Sequence, residues 1–170
     1  MSNPQPKSQE PLTFEQKVLK NTLNKIEKLL GQLTEDVFTH NKVKALFEDL
    51  EHQLDKRNDI TGGEKRIIKA LLDSAKYFTT DIQDYVKYAN EFFDDIKYGD
   101  LDVPYIKLKL EAIYIQMWGI TEKIWGLEIT YNTLCIKEHL CNEIQHNEVW
   151  NIYKIAEYVM YEIFTYLTNL

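Results

Sequence analysis

Between residues 64 and 98, apolar side chains recur in alternating steps of three and four: Ile68, Leu71, Ala75, Phe78, Ile82, Tyr85, Ala89, Phe92 and Ile96. This spacing predicts a helix with a four-heptad seam, widened by Leu72, Val86 and Phe93 at the adjacent position. Unbroken, it is ~50 Å long. Gly99-Asp100 ends the pattern, and Thr80 with Gln83 forms a second capping box that would interrupt it if used. At 170 residues the chain suits one domain.

The remaining segments also read as helix. Residues 1–11 hold three of the four prolines and no apolar period, which predicts a flexible tail. Thr13 with Gln16 is a capping box opening a helix with Phe14, Val18, Leu19, Leu23, Ile26, Leu29 and Leu30 on its apolar side. Gly31 predicts its end, and Thr34, followed by Glu35 and Asp36, predicts the cap of a second helix. That helix presents Val43, Leu46, Phe47, Leu50 and Leu54, with a possible kink over Thr39-His40-Asn41 before the Thr61-Gly62-Gly63 break. Pro104 opens a further helix through Ile106, Leu110, Ile113, Met117, Ile120, Ile124 and Leu127. The alternation Ile106-Lys107-Leu108-Lys109-Leu110 suggests a strand, but it fails at Ala112-Ile113. Tyr114, Trp118 and Trp125 add a second apolar face, which implies a central, mostly buried helix. We expect a break between Gly126 and Asn132, a helix carrying Leu134, Ile136, Leu140, Cys141 and Ile144, and a last one from near Asn147. Its seam is Val149, Ile152, Ala156, Val159, Ile163, Tyr166 and Leu170. The expected fold is all-α, a single-domain bundle of five to seven helices over residues 12–170.

Composition narrows the function. With 27 acidic and 20 basic residues the net charge is −7, which disfavours a general nucleic-acid or anionic-membrane binder. No apolar run approaches the ~20 residues that span a bilayer, so a soluble, cytoplasmic protein is expected. Cys135 and Cys141 would lie ~9 Å apart along one helix, beyond disulfide reach, and read as free buried thiols.

Few residues propose chemistry. Asp49 with His52 and Glu143 with His146 have the spacing of carboxylate–histidine metal pairs. Each histidine stands two positions from a core residue, Leu50 or Ile144, and is expected to face solvent. Gly62-Gly63-Glu64-Lys65-Arg66 resembles a phosphate-binding helix start but lacks the P-loop pattern and a preceding strand. From Asp94, the calcium-loop pattern fails at Ile96 and Tyr105. His139 lies near both cysteines, which is weak support for a nucleophile. We therefore assign no catalytic residue, metal or cofactor. A short duplication, Met117-Trp118-Gly119-Ile120 and Ile124-Trp125-Gly126-Leu127, suggests close approach of a neighbouring helix to the glycines. Internal packing is its simpler reading, and a binding groove the other.

Charge placement carries the strongest functional signal. Residues 81–102 contain seven acids against Lys87 and Lys97, whereas the other 148 residues carry 20 acids and 18 bases. On the long helix, Asp81, Asp84, Tyr88, Glu91, Asp95 and Tyr98 form an acidic stripe with two tyrosines, extended by Asp100 and Asp102. A solvated helix face is the bland alternative. The expected function is non-enzymatic binding of a protein with a basic surface, including one that otherwise holds nucleic acid. Inhibitor, immunity or anti-host factor, chaperone and assembly subunit all fit. The rivals are a metal-dependent helical enzyme built on the carboxylate–histidine pairs, and a nucleic-acid-binding module using Lys65, Arg66, Lys69 and Lys76. A homo-oligomer held by the long seam is also open.

Overall fold

The computed structural model describes residues 11–97, 101–133 and 143–169. Every regular element among them is helical: α1 (Phe14–Thr34), a π-helical turn (Glu35–Thr39), α2 (Lys42–Asp55), α3 (Gly62–Lys97), α4 (Val103–Asn132) and α5 (Glu143–Asn169). No described helix is long and apolar enough to cross a membrane.

Side-chain pairs fix the arrangement. Along α3, Lys97 meets Glu27, Asn90 donates to the Thr34 hydroxyl and Lys76 meets Glu51, so α1 and α2 follow one another antiparallel to α3. Asp95 pairs with Lys109 and Asp81 with Lys123, which sets α4 antiparallel to α3. Trp125 contacts Trp150 and Tyr153, Glu128 meets His146, and Lys25 of α1 pairs with Glu162 of α5. The described chain is thus a four-rod antiparallel bundle whose first rod is bent. Four rods among the described residues do not confirm the five to seven helices expected, because α1 and α2 share one of them. The extra helix expected around residues 134–144 lies mostly outside the described residues, as do Cys135, His139 and Cys141.

The over-division has local causes. Gly31 is an exposed position inside α1, where an added Cβ would meet nothing within 4 Å, and the helix runs through it. Thr34 caps nothing: its hydroxyl donates to the Leu30 carbonyl at 2.7 Å. The bend comes at Asn41, whose φ of 45° and ψ of 52° place it in the left-handed region that Asn tolerates. Asp36, only 2% exposed, accepts from Gln32 at 3.0 Å and pairs with Lys42 at 3.1 Å, pinning both sides of the bend. The π turn rephases the apolar stripe, keeping Leu33, Val37, Val43 and Leu46 all in the core. By contrast, the Thr13–Gln16 capping box forms as expected, with both reciprocal hydrogen bonds present.

The capping box at Thr80 is unused, and α3 runs unbroken past it. Ile68, Ala75, Ile82, Ala89 and Ile96 are buried together with Leu72, Val86 and Phe93. Phe78, Tyr85 and Phe92 are only half-buried and Leu71 is exposed, so the deepest line of the seam leans toward its adjacent position. The seam is filled by the chain's own helices. It does not stand open for a second copy.

The α4 core set from Ile106 to Leu127 is buried throughout. The helix nevertheless occupies a corner of the bundle rather than its centre. Trp118 and Trp125 are each 52% exposed, and Leu108, Ile115 and Ile129 are more exposed still. The expected break between Gly126 and Asn132 is absent: α4 reaches Asn132, with Leu127 and Tyr131 buried on its inner side. The last helix already includes Glu143, ahead of the start expected near Asn147.

Candidate functional site

Two surfaces stand out, an acidic ridge on α3 and an apolar flank along α4 and α5. The α3–α4 contact positions both. Antiparallel heptads bring Tyr85 over Gly119 and Phe78 over Gly126. A Cβ on Gly119 would stand 2.7–2.9 Å from three Tyr85 ring atoms, and one on Gly126 3.2–3.4 Å from two Phe78 ring atoms. Both duplicated glycines therefore admit α3 rings, the internal packing expected for the repeat. Lys123 and Lys109 of α4 sit over the Phe78 and Phe92 rings, 5.2 Å from each centroid, while pairing with Asp81 and Asp95.

Those pairs divide the acidic stripe. Asp81 and Asp95 lie at 3.4 and 2.9 Å from the lysines of α4. The hydrogen bond to Asp95 holds the Lys109 ammonium above its ordinary pKa. Asp102 is the N-cap of α4, accepting from the Tyr105 backbone N–H at 3.5 Å. Asp84, Tyr88 and Glu91 remain on the outer side of α3, exposed, with exposed Asp94 on the flank. Tyr98 and Asp100 lie outside the described residues. Among the described residues, the open part of the ridge is thus Asp84, Tyr88 and Glu91.

The other expected chemistry is placed differently. His52 is exposed as expected. His146 is not: it is half-buried, stacked on Tyr131 at 4.1 Å between centroids, with its Nε2 2.5 Å from Glu128 Oε2. The inward side of α5 is marked by Val149 and Ile152, and His146 lies one turn before Val149 on that side. Among the described residues, no group of three or more His, Cys, Asp or Glu is arranged to hold a metal ion. Of the basic segment, Lys76 is committed to Glu51 and Asp73. Its hydrogen bond with Glu51, helped by Asp73, holds it above its ordinary pKa. Lys65 is half-buried, while Arg66 and Lys69 are exposed.

The apolar flank was missed by sequence reasoning, which assigned Trp118 and Trp125 to the interior. Trp118 donates through Nε1 to Glu122 at 2.7 Å, and Trp125 donates to the Tyr153 hydroxyl at 3.2 Å. Next to them, Tyr114, Thr121, Tyr153, Met160, Tyr161 and Phe164 line an open α4–α5 groove of about 340 Å³. The missed signal was present: Leu108, Ile115, Trp118, Trp125 and Ile129 have a heptad phase of their own, opposite to the core set. No family model, curated protein or solved structure matches the chain.

Proposed function

We propose that the protein is a non-enzymatic, cytoplasmic binding factor that presents the α3 ridge to a basic surface on another protein. The observation that carries this reading is the run Asp84–Tyr88–Glu91: two exposed carboxylates one helical turn either side of an exposed tyrosine, on an unbroken helix. Fixed carboxylates on a rigid rod attract and orient a basic surface, and tyrosine adds contact area at small entropic cost. The ion pairs at Asp81 and Asp95 tether the ridge to α4, so its carboxylates keep their spacing. Inhibition of a basic protein, immunity against one, and assembly with one all use this chemistry.

Affinity capture from the source cell's extract tests the reading, comparing the native chain with an Asp84→Lys/Glu91→Lys variant. The native chain should retain a protein with a basic surface, less firmly as ionic strength rises. The variant should lose it while far-ultraviolet circular dichroism is unchanged. Equal capture by both would refute the assignment.

A further inference from the structure

The outer side of α4 carries a second heptad line. Leu108, Ile115, Trp118, Trp125 and Ile129 are each more than half exposed, and Glu111, Glu122 and Asn132 complete the three-four spacing. Tyr161 and Phe164 of α5, also more than half exposed, border it. So many exposed apolar side chains on one side of a folded helix mark a contact site. We propose that this outer seam is the interface of an antiparallel homodimer in which α4 packs against α4 of a second copy.

Three observations favour a second copy. The first is area. Seven side chains presenting roughly 100 Å² each offer on the order of 700 Å² per chain, close to the ~800 Å² each partner gives a standard interface. The second is charge. In a parallel pair, Glu111 and Glu122 would each face their own equivalent, whereas antiparallel pairing sets Glu111 against Ile129 and Glu122 against Trp118 of the second copy. The third is hydrogen bonding. The Trp118 indole already donates to Glu122 of its own chain, and the antiparallel seam brings the same donor and acceptor together across the axis. Ile115 then meets Trp125 of the second copy, so one apolar pair stands on each side of the central Trp118–Glu122 pairs.

Sedimentation equilibrium of the full chain should give a particle of about 40 kDa at micromolar concentration, twice the 20.2 kDa chain. Ile115→Lys/Trp118→Lys should convert it to a monomer with unchanged helicity, because both side chains are exposed. Register is read by cross-linking in a Cys135→Ser/Cys141→Ser background. Ile115→Cys with Trp125→Cys should form disulfide-linked dimers, since the two sit ~15 Å apart on one helix and cannot bridge within a chain. Ile115→Cys alone should not. A native chain that stays monomeric overturns the proposal, even if it captures another protein through Trp118. So does a dimer that survives the double lysine variant, or efficient linkage through Ile115→Cys alone.

Discussion

The two sides of α4 are made from the same residue types and meet different fates. On the inner side Ile113, Met117, Ile120, Ile124 and Leu127 are buried, and on the α3 side Gly119 and Gly126 receive the rings of Tyr85 and Phe78. On the outer side Ile115, Trp118, Trp125 and Ile129 stand more than half exposed. Within each four-residue repeat, the first and last residues are core, the glycine seats a ring, and the tryptophan points outward. Hydrophobic periodicity therefore identifies which residues want covering, while the neighbouring helices decide which of them are covered.

Ile120→Ala should have the largest effect. The side chain is fully buried, and its loss should cost about 2–5 kcal/mol in urea unfolding through lost burial and the cavity left behind. A loss below about 1 kcal/mol would show that the inner side of α4 does not hold the core. Gly119→Ala should come next. The new methyl gains about 1 kcal/mol in helix propensity but must displace the Tyr85 ring, for a net loss of about 1–2 kcal/mol. Adding Tyr85→Ala should remove the clash and reverse the sign of that substitution. Additive effects in the double-mutant cycle would contradict the ring-on-glycine contact.

Smaller effects test how far the inner side is sealed. Tyr166 is buried and its hydroxyl has no hydrogen-bond partner among the described residues. Burial, with the Glu15 carboxylate adding to it, raises its pKa above the ordinary 10.0. The folded state thus holds the proton more tightly than the unfolded chain, so stability present below about pH 10 falls as pH rises beyond it. Tyr166→Phe should leave stability at neutral pH unchanged or up to about 1 kcal/mol higher, and flatten the alkaline decline in Tm. A steeper decline would contradict the burial. Gly31→Ala is the counterpart of Gly119→Ala on an open helix face. With nothing within 4 Å, it should stabilise by about 0.5–1 kcal/mol, measurable as a rise in Tm.

Much of the fold was legible because it rests on local chemistry and a single period. The α2 core set, the α4 core set and the Thr13 capping box all follow from spacing and side-chain type. What failed depended on neighbours. Gly31 and Thr34 look like a stop and a start, yet the stripe they interrupt is kept in phase by a π turn and a left-handed Asn41. His146 was misplaced because its side was judged from Ile144, whereas Val149 and Ile152 mark the inward side of α5. At the candidate sites, the acidic stripe was legible as a helical face. Its loss of Asp81 and Asp95 to Lys123 and Lys109 was not, since those pairs join residues 42 and 14 positions apart, as the numbering shows. Of the outer α4 seam only Trp118 and Trp125 were read, and they were placed in the interior because a second apolar face on a helix ordinarily means burial.

The most direct test follows Trp118 in a chain carrying Trp125→Phe and Trp150→Phe, where it is the sole tryptophan. Its quenching by acrylamide is measured from dilute to concentrated protein. The expected result is ready quenching when dilute and several-fold protection when concentrated, reversed by Ile115→Lys. Equal quenching across the range would contradict an outer seam that closes on a second copy.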